Sequence, residues 1–252
     1  MFLEPETIMS TTLGPHNLNG GTVPLVNHLL SALDEAGRNR LSPNMCRVEL
    51  ETKQVLYRPD QRISDIYFPE DSVIAMLTVM GNGATIESAT VGREGASWIS
   101  ASFKSPTMPC QTMVAIPGQA YKVPADVIEH EIRKNGTFHN TLSHYSHVLL
   151  IQTLRSTACN GLHSLEQRCA RWMLMTLDRT GNDRFVITHD FLSQLLGVQR
   201  TGVTGLVDRL ASEGVLETRR GEIRVADRNK LEHISCECYR IMRAQFANLI
   251  ES

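Results

Sequence analysis

One stretch, ITHDFLSQLLGVQRTGVTGLVDRLASEGVLETRRGEIRV from Ile187 to Val225, restricts what this chain can fold into more than any other. Thr188 is placed to cap a helix with Asp190 in its first turn, and Phe191, Leu192, Leu195 and Leu196 recur at helical spacing. Gly197 ends that helix. The turn Gly197 to Gln199 leads to a second apolar series, Val203, Leu206, Val207 and Leu210, which buries one face of another helix. Two short helices joined this tightly form a helix-turn-helix. The opposite face of the second helix carries Arg200, Thr201, Thr204 and Asp208, and the N-terminal residues of such a helix are the ones that meet base edges. Beyond Gly214, VLETRRGEIRV alternates apolar and polar residues on either side of Arg220-Gly221, the pattern of a hairpin with a tight turn. This hairpin would be a wing whose Arg219 and Arg220 lie along phosphate. The expected DNA-facing set is therefore Thr188, Gln199, Arg200, Thr201, Gly202, Thr204, Gly205, Asp208, Arg209, Arg219 and Arg220, with Arg200 its leading contact.

The 252 residues, 42% of them hydrophobic, suffice for two modest domains with their own cores. A formal net charge of −2 removes the argument from overall basicity, so DNA binding must rest on a local patch. No apolar run approaches the roughly 20 residues that span a bilayer, and the N-terminus has no basic segment followed by an apolar core. A soluble, cytoplasmic protein without membrane partners is expected. Cys46, Cys110, Cys159, Cys169, Cys236 and Cys238 are scattered without a disulfide framework, which suits a reducing compartment.

Upstream, residues 1–23 mix Gly, Asn, Thr and Pro without a period and are expected to form a leader. Leu25, Val26, Leu29, Leu30 and Leu33 predict a short helix closed by Gly37. From Val48 to Pro124 the period becomes that of strands. QVLYR, ISDIYF, SVIAMLTVM, ATIESATV, QTMVAI and QAYKV are separated by turn signals, as in a β-sandwich or barrel. The run Ser72 to Met80 is apolar enough for a strand covered on both sides. Helical spacing returns after Pro124, above all from Thr137 to Asn160. There Leu142, Tyr145, Leu149, Gln152, Ser156 and Cys159 mark a three-and-four seam that could face a second copy. Val148, Leu150, Ile151 and Leu154 make other sides of the same helix apolar, so it needs more than one neighbour. Ser164 and Gln167 form a capping box for SLEQRCARWMLMTLDRT, and Asn229 to Ile250 reads as a closing helix.

A strand-rich domain, a long helix and a winged helix-turn-helix in this order resemble the Crp/Fnr family of bacterial transcription regulators. RPDQRISDIYFPEDSVIAML is similar to early roll strands of that family, VGREG to its glycine-glutamate turn, and the segment from Ile187 to Leu216 to its reading head. The resemblance implies an α+β chain: an N-terminal β-roll of double-stranded jelly-roll type, a long dimerisation helix and a C-terminal winged helix-turn-helix. The expected boundaries are a leader at 1–23, a cyclic-nucleotide-binding-like sensor at 24–136, a dimerisation helix at 137–162 and the DNA-binding domain at 163–252. The dimer interface would hold Leu142, Tyr145, Leu149, Gln152 and Ser156. Double-stranded DNA, a second copy, RNA polymerase and an unknown small-molecule effector are the implied partners.

The departures are informative. Arg200 falls where the family places its leading recognition-helix arginine, but Thr201 and Gly205 stand where members often carry glutamate and a second arginine, so the target site should differ. Cyclic AMP binders neutralise the cyclic phosphate with an arginine followed by a small hydroxyl residue. Here that region reads Pro109-Cys110-Gln111-Thr112, and cyclic AMP is not the expected ligand. Arg93, Glu94, Gln111 and Thr112 are the candidate effector contacts.

Enzyme chemistry finds little support. No histidine lies between Leu41 and Asp126, which argues against a metal or haem held in the roll through histidine. His144 and His147 share a helix face without an evident third ligand, and Cys236 and Cys238, with His233 nearby, stand two apart, a spacing that does not converge on a continuous helix. No catalytic residue, metal site or cofactor is expected. A second reading stays open, in which the roll binds a ligand and the winged helix contacts protein rather than DNA.

Overall fold

The strand-forming runs between Cys46 and Pro124 pair into two antiparallel sheets. A computed structural model describes residues 25–98, 107–134 and 136–251 of the chain; the expected leader at 1–23 lies outside them. The strands are β1 (Cys46–Leu50), β2 (Val55–Tyr57), β3 (Asp65–Pro69), β4 (Val73–Val79), β5 (Thr85–Val91), β6 (Gln111–Ile116) and β7 (Gly118–Pro124). One sheet has the order β1-β7-β3, the other β2-β6-β4-β5. Each apolar run named from the sequence overlaps one of these strands. The most apolar run becomes β4, an inner strand between β5 and β6 in which Val73, Ile74 and Ala75 are consecutively buried, so both of its faces are covered. The fold class is the expected one: mixed α and β, with antiparallel sheets, then a long helix, then a helix-turn-helix.

The N-terminal helix divides in two. Asn27 caps α1 (His28–Ser31) by accepting from the amides of Leu29 and Leu30, while its own amide donates to the carbonyls of Pro69 and Gly95 at 2.9 and 2.8 Å. Asp34 then caps α2 (Glu35–Leu41) through the amide of Gly37. Gly37 therefore lies inside a new helix instead of closing the first, because the aspartate three residues earlier supplies a start signal.

After α3 (Ala125–Ile132) comes α4 (Thr137–Leu162), the long helix, and then α5 (Leu165–Thr180), opened by the Ser164/Gln167 capping box and closed by Gly181 in the left-handed region. The expected dimer seam is corrected here. Leu142, Tyr145, Leu149, Gln152 and Ser156 are all buried within the chain: the Tyr145 hydroxyl donates to Ala96 O at 3.1 Å, and Gln152 Nε2 donates to Thr90 O, also at 3.1 Å. They hold α4 to its own roll. The helix is apolar on several sides, so spacing alone could not choose which stripe faces inward. The stripe left outside runs Ser143, His147, Leu150, Leu154, Thr157 and Gly161, with Leu150 and Leu154 56% and 62% exposed.

The VGREG turn after β5 is enclosed by α4 and α5. A Cβ at Gly95 would stand 2.3 Å from the Tyr145 ring, and one at Gly92 would stand 2.5 Å from the Arg179 side chain. Only glycine admits both. Glu94 accepts from Arg179 Nε at 2.7 Å, with both side chains about 95% buried, and Arg179 Nη2 also donates to Thr90 O at 3.1 Å. Arg179 further lies over the Phe246 ring, 5.1 Å from its centroid. One guanidinium thus joins the roll to α5 and the C-terminal helix.

The remainder contains β8 (Arg184–Val186), α6 (His189–Leu196), α7 (Arg200–Ser212), β9 (Leu216–Arg219), β10 (Glu222–Val225), α8 (Arg228–Ile234) and α9 (Glu237–Glu251). The closing helix expected as one piece is broken at Ser235-Cys236, where Ser235 N–H returns to Leu231 O and ends α8.

Candidate nucleic-acid interface

The helix-turn-helix is built by the signals that announced it. Thr188 Oγ1 accepts from the amide of Phe191 at 3.2 Å and opens α6, and Asp190 sits in the first turn. Gly197, at φ 64°, closes the helix, and a Cβ there would stand 2.8 Å from Ile86 of the roll. Gln199 starts α7 without a side-chain cap, leaving its amide unused for that purpose. Val203, Leu206, Val207 and Leu210 are the buried face of α7, as their spacing requires.

On the free face, Arg200, Thr201, Gly202, Gly205, Asp208 and Arg209 are exposed. Thr204 is half-buried, its hydroxyl 3.1 Å from His189 Nδ1, which ties α7 to α6. A Cβ at Gly202 would stand 3.3 Å from Leu165 Cδ2, whereas one at Gly205 would meet nothing within 4 Å. The two glycines therefore differ: the first borders a helix contact and the second opens on solvent. Arg209 is held by Glu166 at 2.9 Å and Glu213 at 3.6 Å. Arg200, Arg219 and Arg220 have no carboxylate in ion-pair range among the described residues.

The wing carries its arginines at the tip. β9 and β10 pair with Glu222 opposite Arg219, and the two residues between them, Arg220 and Gly221, have φ of 44° and 85°. Positive φ at both central positions is the primed turn that matches strand twist. A third strand absent from the sequence reading, β8, adds to the other edge through Phe185 opposite Ile223. With three residues it is too short to show a period.

The first helix of the pair is braced against the roll. Thr85 Oγ1 donates to Gln194 O at 3.3 Å, Lys53 Nζ lies 3.7 Å from Asp190 Oδ2 and 5.0 Å from the Phe191 ring centroid, and the buried Arg168 donates to Leu196 O. Trp172 Nε1 donates to Glu87 Oε2 on β5 at 2.9 Å. Sequence reading missed this contact because its partners are 85 residues or more apart and obey no local period.

The candidate effector residues do not gather. Arg93 donates to Asp178 O and Glu94 is taken by Arg179; together they line a cavity of about 300 Å³ between the turn and α9. Thr112, on β6, is fully buried, and neither it nor Gln111 lines that cavity. The expectation of one phosphate-side cluster is corrected: the turn residues serve the joint between roll and α5.

Residues 167–234 match the family model described as the Crp-like helix-turn-helix domain. The C-terminal part is a Crp-like helix-turn-helix domain. The Crp-like domain and the roll together share their fold with solved Crp/Fnr structures. A structure from Eubacterium rectale, described as a transcriptional regulator of the Crp/Fnr family, aligns at TM-score 0.62 and 17% identity over 82% of this chain and 96% of its own. A CooA variant from Carboxydothermus hydrogenoformans aligns at 0.57 and 12%, over 86% and 97%. A CRP/FNR-family transcriptional regulator from Thermus thermophilus aligns at 0.54 and 19%, over 75% and 97%. No curated protein matches the sequence. No helix among the described residues is long and apolar enough to cross a membrane.

Proposed function

We propose that the chain is a homodimeric, sequence-specific DNA-binding transcription regulator that acts in the cytoplasm on a two-fold promoter site. The observation that carries this is the outward face of α7. Arg200 stands at its N-terminus and Arg219 and Arg220 at the wing tip, all three without a carboxylate in ion-pair range among the described residues, while α6 is fixed from behind. Arg200 reads bases, Thr201, Thr204, Gly205 and Asp208 complete the groove-facing surface, and the wing arginines follow phosphate. Thr188 and Gly202 serve the motif's own geometry. Arg209, held between Glu166 and Glu213, is a weaker candidate than its sequence position implied.

The second copy docks on the outer stripe of α4. Ser143, His147, Leu150, Leu154, Thr157 and Gly161 alternate four and three residues over about 27 Å at 1.5 Å per residue, the spacing of a coiled-coil seam. The roll biases the placement of the two Crp-like domains through the α6 brace. Its effector is not cyclic AMP, because the cyclic-phosphate arginine is absent and Thr112 is enclosed. RNA polymerase is the partner through which promoter binding changes transcription.

Selection from random DNA tests the reading. An inverted repeat with half-sites about one helical turn apart is expected. Arg200→Ala should weaken specific binding by about 1–3 kcal/mol while leaving random DNA nearly unaffected. No enriched sequence at any salt concentration, or an equal loss on both DNAs, overturns it, and the first outcome favours a winged helix that contacts protein.

A further inference from the structure

Four metal-donor side chains meet where the long helix ends. Cys159 lies in the last turn of α4, His163 is its C-cap, Cys236 lies in the link between α8 and α9, and Cys238 is in the first turn of α9. One donor atom from each falls within 4.8 Å of all the others. Cys159 Sγ is 3.6 Å from Cys236 Sγ, and Cys238 Sγ is 3.9 Å from His163 Nδ1. The three cysteines are buried and His163 is half-buried. Cys236 and Cys238, two apart and not expected to converge on a continuous helix, are brought together by the break at Ser235-Cys236. Cys236 is outside any helix, so both thiols turn the same way. His233, the neighbour singled out in sequence, instead bonds Asn229 O.

We propose that Cys159, His163, Cys236 and Cys238 form a structural zinc site that fastens α9 to the end of α4. Zinc takes three thiolates and an imidazole in closed tetrahedral sites, and bonds of about 2.3 Å to sulfur place tetrahedral ligands about 3.7 Å apart. The observed 3.6 and 3.9 Å are close to such edges, and the other donor pairs, all within 4.8 Å, need only a small contraction to reach them. His163 has the outer support a ligand histidine needs: its Nε2 lies 3.3 Å from Glu237 Oε2, so a proton on that nitrogen faces the carboxylate and leaves Nδ1 free for the ion.

Charge supports the same assignment. Three thiolates and one divalent cation leave a net negative centre, and the guanidinium of Arg171, 5% exposed with its Nε unpartnered among the described residues, lies near Cys159 to balance it. Binding exchanges thiol protons for the cation without any change of oxidation state. An iron-sulfur cluster fits less well, because its ligands bind different irons and stand apart by more than the cluster's width, whereas these donors surround the space of one ion. A Cys159–Cys236 disulfide would leave the approach of Cys238 and His163 without a purpose.

The closure spans 77 residues from Cys159 to Cys236 and encloses the whole of the matched stretch, residues 167–234. An ion here fixes the exit of that domain to its entry, beside the joint between α4 and α5.

The test uses the full chain purified under reducing conditions. Elemental analysis should find one zinc per chain, and Co²⁺ added to the metal-free protein should give the thiolate charge-transfer and tetrahedral ligand-field bands. Cys159→Ser and Cys236→Ser should lose both signals, and Cys46→Ser, an exposed cysteine elsewhere, should keep both. Glu237→Gln removes no ligand and is on the surface; it should keep the Co²⁺ spectrum with affinity about 10–100-fold weaker. The proposal fails if wild-type protein takes up neither Zn²⁺ nor Co²⁺, if the Co²⁺ bands survive in folded Cys236→Ser, or if mass analysis of native protein finds Cys159 disulfide-bonded to Cys236.

Discussion

Replacing Glu87 by glutamine tests whether one buried carboxyl governs the contact between the roll and α5. Glu87 is 8% exposed and accepts a hydrogen bond from Trp172 Nε1. Burial pushes its pKa up to about 7 from 4.5, against the opposing pull of that hydrogen bond and of the Arg171 and Arg179 charges. Between those two values the folded chain holds a proton that the unfolded chain has released. Stability from this group is therefore greatest below about 4.5 and is lost as pH rises, the loss being complete once pH has passed about 7. At 1.36 kcal/mol per unit, the full difference amounts to about 3 kcal/mol, most of it falling between pH 5 and pH 8. Glutamine keeps an oxygen for Trp172 and cannot ionise. Urea unfolding followed by tryptophan fluorescence at several pH values should thus give a flatter pH profile for Glu87→Gln, by about 2–3 kcal/mol over that window. His28, whose pKa burial lowers, titrates in both proteins and cancels in the comparison. Parallel profiles would refute the assignment of that titration to Glu87.

Two further substitutions separate the surfaces. Gly205→Ala meets open space, so it should raise helix stability by up to about 1 kcal/mol in thermal melts while weakening specific DNA binding; unchanged binding would move Gly205 off the DNA face. Leu154→Glu places a charge on the outer stripe of α4 and should shift sedimentation towards monomer without unfolding the chain, whereas an unaltered dimer would locate the interface elsewhere.

Local signals carried the sequence reading wherever the residues that decide an element are neighbours in the chain. Thr188, Gly197 and the apolar spacing of α7 each act within one or two helical turns, and Arg220-Gly221 sets its own turn. The same holds for the strand runs, whose alternation fixes which face is buried. What stayed illegible depends on partners far away. Leu142, Tyr145 and Gln152 form as good a seam as the outer stripe, and only the roll beneath them decides which one turns inward. Arg93 and Glu94 sit in a turn that looks solvent-facing until Arg179 and Asp178, 85 residues on, occupy it. The Cys159, His163, Cys236 and Cys238 group was hidden because its members come from two chain segments and because a helix read as continuous was broken at Ser235-Cys236. Ser235, immediately before Cys236, was the one local hint, as a residue that competes with helical hydrogen bonding.

The glycines of the VGREG turn bear on how such a chain can be recombined. Gly92 and Gly95 leave room for Arg179 and Tyr145, which belong to different helices, and each pair fits only while both members are kept. A roll grafted from a relative onto this Crp-like domain would bring its own turn against helices shaped for another, and the first side chain beyond hydrogen at either glycine would prise the two apart. The smallest portable unit is therefore neither domain alone: it is the turn together with α4 and α5, and a chimera that cuts the chain between Gly95 and Tyr145 divides a unit that has to be inherited whole.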